Sequence, residues 1–571
     1  MLKEPYLYEE RRGFRTEAVV FLLGAGDADT NRPGVIQAEH THKVLAVNAL
    51  PRIAHVHIKP LPDRQLHKLL YLLEGLQRNL KFEHIAPPKL YKSKFFVYNN
   101  CRNRNTRQFN DIIAELFIFS IDEADDFHKK LETKLVVFTM NIGFYTLGCK
   151  VNQYETQAME QLLTAMGHTV TPFREPCDIY IINTCSVTAV ADKKNRAVIR
   201  RCRQQNPDAV LAVCGCYPQH APEVAEQLGA DVIGGSSQRE EFLQQVLEAA
   251  EKKTKGKVLD NALRRREFEV LPAGGLEGRT RAMLKVQDGC VNFCSYCIIP
   301  YTRGPVRSAP LELAVRQARE LADMGYREII VTGIEIASWG VDLPGKPQLS
   351  QLLTAVCQAV PHLRVRLGSL EPRIITEEFC QSIKDLPNLC PQFHLSMQSG
   401  CDSVLARMKR KYDTARYYES VALLKRHFPG CAVTTDMIVA FPGETEEEFA
   451  RSLDFIQKCG FADMHIFPYS RRPGTPADKM PGQLSNAVKE ERSRTAIEVA
   501  DKMRLAYNTA LIGTRQEVLF EEVQEGFYCG HAPNYVKVFA KGEGLHNRVL
   551  PVKITGIFRV GVLGTLLFPE I

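Results

Sequence analysis

No stretch of the 571-residue sequence approaches the ~18 consecutive apolar residues of a bilayer-spanning helix, which excludes a helical membrane protein. The opening MLKEPYLYEERRGFRTEAVVFLLGAG carries charges throughout and lacks an apolar core before a small-residue cleavage site. No secretory signal peptide is expected from it. Disulfide patterning is missing as well. The 17 cysteines include C-x3-C-x2-C and CGC groups set inside strand–helix patterns, which points to metal ligands in a reducing, cytoplasmic compartment. Residues 1–139 lack repeats, metal-ligand spacing and any phosphate loop. They offer apolar runs such as Leu116–Ile121 and a turn at Asn31–Gly34. His40, His42, His55 and His57 are read there as scattered surface or satisfied residues, not ligands. The whole chain is 45% hydrophobic and 24% charged, with net charge +7, which permits an acidic polymer as partner without demanding one.

Chemistry is concentrated in Gly289–Cys297, GCVNFCSYC, which sets Cys290, Cys294 and Cys297 in a C-x3-C-x2-C spacing. Three thiolates so close can wrap one side of a 4Fe–4S cube, leaving one iron open to a small molecule. The spacing also admits a zinc ion with a distant fourth ligand. From Met140 onward, strands and helices alternate, an α/β pattern that implies parallel sheets. Strands are expected at Ile142–Leu147, Asp178–Asn183, Ala209–Val213 and Asp231–Ile233, with helices at Gln153–Met166, Ala189–Gln205 and Pro222–Leu228. Cys149, Cys185 and Cys216 fall at three of these strand ends and would converge at the carboxyl edge of the sheet. Cys214, two residues before Cys216, is an alternative ligand if the strand continues, whereas Cys177 and Cys202 read as structural.

Residues 251–281 are basic, polar and glycine-bearing and read as a surface linker. Six strand–helix units follow. Their strands are expected at Ala282–Val286, Glu328–Thr332, Arg364–Ser369, Gln392–Met397, Val433–Val439 and Met464–Tyr469. Six such units imply an open, partial (β/α)6 barrel with chemistry at its carboxyl mouth. Ser396, Gln398 and Ser399 end the fourth strand, Glu335 follows the second, and Ser369 and Glu371 end the third. Asp436 is a carboxylate inside an apolar strand and needs either a structural partner or a ligand. Beyond a helical pattern at Val488–Thr509, short alternating segments suggest a small β-barrel. Its Lys537, Lys541, Arg548 and Lys553, with Tyr535 among them, suit an RNA backbone and stacked bases.

The segments TLGCKVNQYET, NTCS, VCGC, GCVNFCSYCIIPYTRGPVRS, HLSMQSG, FPGE and GHAPNYVKV together resemble the radical S-adenosylmethionine (SAM) methylthiotransferases. The resemblance runs from Met140 to the end. It implies a methylthiotransferase N-terminal domain at 140–250, a linker at 251–281, a radical SAM core at 282–507 and an RNA-binding TRAM domain at 508–571, with 1–139 an extension of unknown role. It implies two 4Fe–4S clusters, on Cys290/Cys294/Cys297 and Cys149/Cys185/Cys216, the latter favouring Cys216 over Cys214. It places Ser396, Gln398, Ser399, Asp436 and Glu335 near SAM, although TGIE around Glu335 departs from the family's Gly-Gly-Glu pattern. TLGCKVNQYET is similar to the branch acting on N6-threonylcarbamoyladenosine beside the tRNA anticodon. The implied reaction places a methylthio group at adenine C2, using a radical made by reductive SAM cleavage. The implied partners are tRNA and a flavodoxin- or ferredoxin-type reductant, with an unknown sulfur donor. Two alternatives stay open. One is a sister branch acting on isopentenyladenosine tRNA or a ribosomal-protein aspartate; the other is a non-catalytic iron–sulfur RNA-binding protein.

Overall fold

A computed structural model of the chain describes residues 19–23, 53–57, 139–186, 189–274 and 279–567. His40, His42, the turn Asn31–Gly34 and the run Leu116–Ile121 lie outside the described residues. The chain forms two compact units, Met1–Leu131 and Glu132–Ile571. In the first, β1 (Val19–Leu23) and β2 (Ile53–His57), which contains His55 and His57, pair antiparallel.

The second unit begins with a six-stranded parallel sheet of order β4-β3-β5-β6-β7-β8. Its strands are β3 (Asn141–Thr146), β4 (Thr169–Thr171), β5 (Ile179–Thr184), β6 (Val210–Gly215), β7 (Val232–Gly234) and β8 (Gly256–Val258). Every residue of β5 is buried because helices cover both faces. Ile179 and Ile181 pack with Ile142, Ala212 and Phe242 on one face, and Tyr180 and Ile182 pack with Leu211 and Val213 on the other. The main helices are α1 (Lys150–Ala165), α2 (Ala189–Gln205), α3 (Pro222–Gln227) and α4 (Arg239–Lys252). The edge strands β4 and β8 are three residues each, too short for a periodicity to announce them. The expected surface linker at 251–281 is corrected here. It supplies β8, and its Leu271 and Ala273 are buried in the barrel core.

Next come β9 (Arg281–Lys285), the short antiparallel pair β10 (Gln287–Asp288) and β11 (Arg307–Ser308), β12 (Glu328–Thr332) and β13 (Arg364–Leu367). They are followed by β14 (Ser369–Leu370), β15 (Gln392–Leu395), β16 (Ala432–Val439) and β17 (Asp463–Pro468). The strands form parallel sheets β13-β12-β9 and β14-β15-β16-β17, and the single residue Gly368 between β13 and β14 divides what the sequence presents as one strand. Strands β9 and β17 are edges, so the barrel is open. The helix Asn486–Ala510 leads to a closed five-stranded barrel of β18 (Arg515–Gln524), β19 (Phe527–His531), β20 (Lys537–Ala540), β21 (Val549–Phe558) and β22 (Gly561–Leu566).

The first sheet meets the open barrel through buried charge. Glu155 of α1 accepts from Arg303 Nη1 at 2.6 Å, Arg239 Nη2 at 2.7 Å and Lys285 Nζ at 3.3 Å. Asp288 accepts from Lys285 at 2.7 Å and Arg303 at 3.2 Å. Burial alone would raise the Glu155 carboxyl, but Arg303, Arg239 and Lys285 hold it well below the usual carboxylate range. Removing this anion leaves buried Arg239 without its carboxylate and Lys285 and Arg303 with Asp288 alone. Glu155→Gln is therefore expected to destabilise the full chain by about 3–5 kcal/mol, read from the denaturant midpoint. A loss below about 1 kcal/mol, the range of exposed pairs, would contradict the junction's role.

Candidate active site

Cys149, Cys185 and Cys216 stand at the carboxyl ends of the neighbouring strands β3, β5 and β6. Glycine makes the approach possible. Gly148 has φ +139°, and a Cβ there would come within 2.9 Å of the Cys185 Cβ. Gly215, φ +104°, lies so close to the Thr184 backbone that a side chain would collide with it, so the turn into Cys216 hugs the end of β5. The Cys216 charge acts on Cys149, and Arg303 faces both. Cys214 lies elsewhere: it is fully buried in the apolar core with Ile142 and Ile181, and burial pushes its thiol up to about 12. The strand ends at Gly215, so Cys214 and Cys216 do not share a strand face.

The second triplet, Cys290, Cys294 and Cys297, follows β9 and β10 in the loop at the barrel mouth. Burial raises Cys290 to about 11, and burial with the charge of Cys294 raises Cys297 to about 12. Both thiols stay protonated at neutral pH until a metal displaces the proton. Arg410 donates from Nη1 to the Cys294 Sγ at 3.2 Å and from Nη2 to the Ser396 carbonyl at 3.1 Å. Glu335 stands beside this loop. Burial, reinforced by Glu371, raises its carboxyl to about 7. Asn292 Nδ2 approaches one oxygen at 3.5 Å, while the other, Oε1, is buried without a hydrogen-bond partner. An orphaned buried acceptor needs a donor, and the ammonium of SAM is one. Among the described residues no three His, Cys, Asp or Glu side chains converge on a single ion. A four-iron cube instead takes its thiolates at separate corners. The thiols, the cations Arg303 and Arg410, and the open acceptor on Glu335 fit iron–sulfur clusters and SAM.

The other expected contacts divide. Ser396 and Gln398 stay at the mouth, Gln398 with φ 70° and bridged to Met437. Asp436 is half-buried and faces His394 Nε2 at 3.3 Å, while His394 Nδ1 meets Thr434 Oγ1 at 3.0 Å. Ser399 is a correction: its hydroxyl is fully buried against Ser452 of the helix Glu446–Cys459. Tyr535 is a second correction. Its ring stacks on His531 at 4.6 Å, Arg366 lies over it at 4.7 Å, and its hydroxyl accepts from Arg281. It joins the two barrels, and only the part of its ring left exposed at the cavity is open to a base. Lys541, Arg548 and Lys553 remain exposed, and Lys537 donates to Gln524 at 3.0 Å. Arg303 and Arg410 escaped the sequence reading. Arg303 lies in the segment directly after the Cys triplet, a usable signal; nothing local marks Arg410.

A cavity of about 840 Å³ opens where the three parts meet. Lys150, Gln153 and Gln157 line it from α1, Arg279, Arg281 and Met283 from the first barrel strand and its approach, and Glu521, His531 and Tyr535 from the closed barrel.

Residues 284–456 match the Radical SAM superfamily, and residues 141–235 match the Uncharacterized protein family UPF0004. Fold and match together define a radical SAM enzyme. Threonylcarbamoyladenosine tRNA methylthiotransferase MtaB of Bacillus subtilis is 40% identical over 421 residues, covering 72% of this chain and 93% of that protein. MtaB of Thermotoga maritima is 36% identical over 394 residues, 69% and 89% of the two chains. A tRNA-2-methylthio-N(6)-dimethylallyladenosine synthase of Pelotomaculum thermopropionicum is 33% identical over 440 residues, 73% and 96% of the two chains. The chain belongs to the radical SAM methylthiotransferase family. Its cofactors are accordingly SAM and 4Fe–4S clusters. Among the described residues no helix is long and apolar enough to cross a membrane.

With one cube per triplet, the anaerobically reconstituted chain should hold about eight irons. The combined Cys290→Ala, Cys294→Ala and Cys297→Ala variant should hold about half as many by the same stoichiometry. Loss of all iron, or stoichiometric zinc in fresh anaerobic protein, would contradict two separate sites.

Proposed function

We propose that the chain is a tRNA methylthiotransferase that places a methylthio group at C2 of N6-threonylcarbamoyladenosine next to the anticodon. The observation that carries this reading is Arg303. It faces Cys149 and Cys216 from one side and bonds Asp288, just before the Cys290 loop, from the other. The two thiol triplets are thereby tied to one junction, as sulfur insertion beside SAM requires. The branch rests on the relatives named threonylcarbamoyladenosine tRNA methylthiotransferase. The 33% identical dimethylallyladenosine enzyme makes that nucleoside the second reading.

When bound, a 4Fe–4S cluster with SAM supplies the radical that an unactivated C–H bond demands, and a second cluster with SAM supplies sulfur and methyl. The chain's own residues do the rest. In this reading, residues 140–250 hold the second cluster through Cys149, Cys185 and Cys216. Residues 282–507 hold the first through Cys290, Cys294 and Cys297. Glu335 Oε1 receives the SAM ammonium, and the Arg410 charge stabilises the Cys294 thiolate. Ser396, Gln398 and Asp436 stand where the remaining polar groups of SAM would lie. Residues 508–571 carry the tRNA through Lys537, Lys541, Arg548 and Lys553, which displace counterions from phosphates. The target nucleotide must leave its stack to enter. The fitting reductant is a flavodoxin- or ferredoxin-type protein, in the cytoplasm.

An anaerobic assay with dithionite, SAM and tRNA tests this by measuring 5′-deoxyadenosine beside the methylthiolated nucleoside. Wild type should modify tRNA carrying threonylcarbamoyladenosine. Cys149→Ala, Cys185→Ala and Cys216→Ala together should abolish that product yet keep SAM cleavage. Product from this variant would overturn the second cluster's role, and wild-type activity confined to isopentenyladenosine tRNA would overturn the branch. The combined Lys541→Gln, Arg548→Gln and Lys553→Gln variant should lower the salt slope of tRNA binding by about 1 per lost phosphate contact. An unchanged slope would place the tRNA elsewhere.

A further inference from the structure

We propose that Lys150 ion-pairs the carboxylate of the threonylcarbamoyl group and so selects this nucleoside. The inference rests on the function proposed above and names the residue that reads the substrate. Lys150 directly follows Cys149 and is the first residue of α1. It keeps solvent access and lines the cavity between the three parts of the second unit.

Three observations make this corner an anion site. First, Lys150 makes no hydrogen bond or ion pair with any described residue; Tyr535, the cations Arg366 and Arg281 and the carboxylate of Glu328, itself paired with Arg366 and Arg364, act on it only from a distance. Second, none of the carboxylates on the cavity wall pairs with Lys150: Glu521 pairs with Arg281 at 2.6 Å and with His531, Glu522 accepts from Gln524 at 2.7 Å, and burial raises the Glu160 carboxyl to about 7. Third, the N-terminus of the 16-residue α1 has no acidic residue in its first turn and no side-chain cap on its amides. Free amides and the positive end of the helix favour an anion there. An unpaired cation at an uncapped helix N-terminus on a cavity wall suits a ligand's negative charge.

The chemistry of the substrate supplies one at the right place. On adenine, C2 and C6 both flank N1, so the N6 substituent lies on the same side of the ring as C2. A base presenting C2 to the Cys149 triplet carries its N6 chain past the neighbouring side chain. The threonyl group ends in a carboxylate, whereas an isopentenyl chain is apolar and offers Lys150 nothing. A backbone phosphate of the RNA is the other source of negative charge, and the test separates the two.

The full chain, reconstituted anaerobically, is assayed on tRNA bearing threonylcarbamoyladenosine, on the same tRNA with that carboxylate blocked as a methyl ester, and for binding to tRNA with unmodified adenosine. Lys150→Gln, at wild-type iron content, should lose about 10- to 100-fold in kcat/KM on the free acid, the worth of one charged hydrogen bond. Wild type should suffer a similar loss on the ester, with no further loss in the variant. Binding of unmodified tRNA should be the same for both proteins, and Lys150→Arg should restore most of the activity. An equal loss of binding to unmodified tRNA would make Lys150 a phosphate contact and overturn the assignment. So would Lys150→Gln with wild-type kcat/KM on the free acid, and both results leave the proposed function standing. A wild type inactive on threonylcarbamoyladenosine tRNA overturns that function, and the assignment with it.

Discussion

A sealed knot of charge between the first sheet and the open barrel is the constraint on which the rest depends. Arg239, Lys285, Arg303 and Arg307 share the carboxylates of Glu155 and Asp288, and all six are nearly or fully buried. Desolvating such groups costs several kcal/mol each, so the arrangement survives only while every member keeps its partners. Pulling the domains apart would expose it, which fixes α1 against β9. Four cations against two anions leave a positive surplus. Arg303 directs that surplus at Cys149 and Cys216, where thiolates on a cluster would neutralise it.

The closed barrel at the carboxyl end is docked by a comparable device. Arg366 pairs with Glu328 at 2.8 Å while its Nη1 reaches the Pro533 carbonyl at 2.8 Å, and Arg364 donates to the His531 carbonyl at 3.1 Å. Tyr535 completes the joint, held by Arg281, Arg366 and His531. The closed barrel is therefore also a wall of the cavity.

Much of this was legible in the sequence, for physical reasons. A strand buried on both faces reads as an apolar run, as Ile179–Thr184 does, and the helices Ala189–Gln205, Leu349–Ala359 and Thr414–His427 carry periodicity enough to fix both ends. Cysteines at successive strand ends marked the first thiol triplet, and the C-x3-C-x2-C spacing marked the second. Short edge strands such as Thr169–Thr171 carry no period, and a polar segment such as 251–281 gives no hint that two of its apolar residues, Leu271 and Ala273, enter a distant core. Ser399 and Tyr535 have the composition of ligand and stacking residues, but their surroundings consume them. Arg410 reaches Cys294 across more than a hundred residues of chain, and only the fold brings the two together.

The central claim is that two thiol triplets, one on each side of the charged knot, hold two separate four-iron centres. Anomalous diffraction at the iron edge from crystals of the reconstituted chain tests it most directly. The account predicts two iron centres, one bounded by Cys149, Cys185 and Cys216 and the other by Cys290, Cys294 and Cys297, each with one iron bound to no cysteine. A single centre, or a centre that takes Cys214 in place of Cys216, would contradict it.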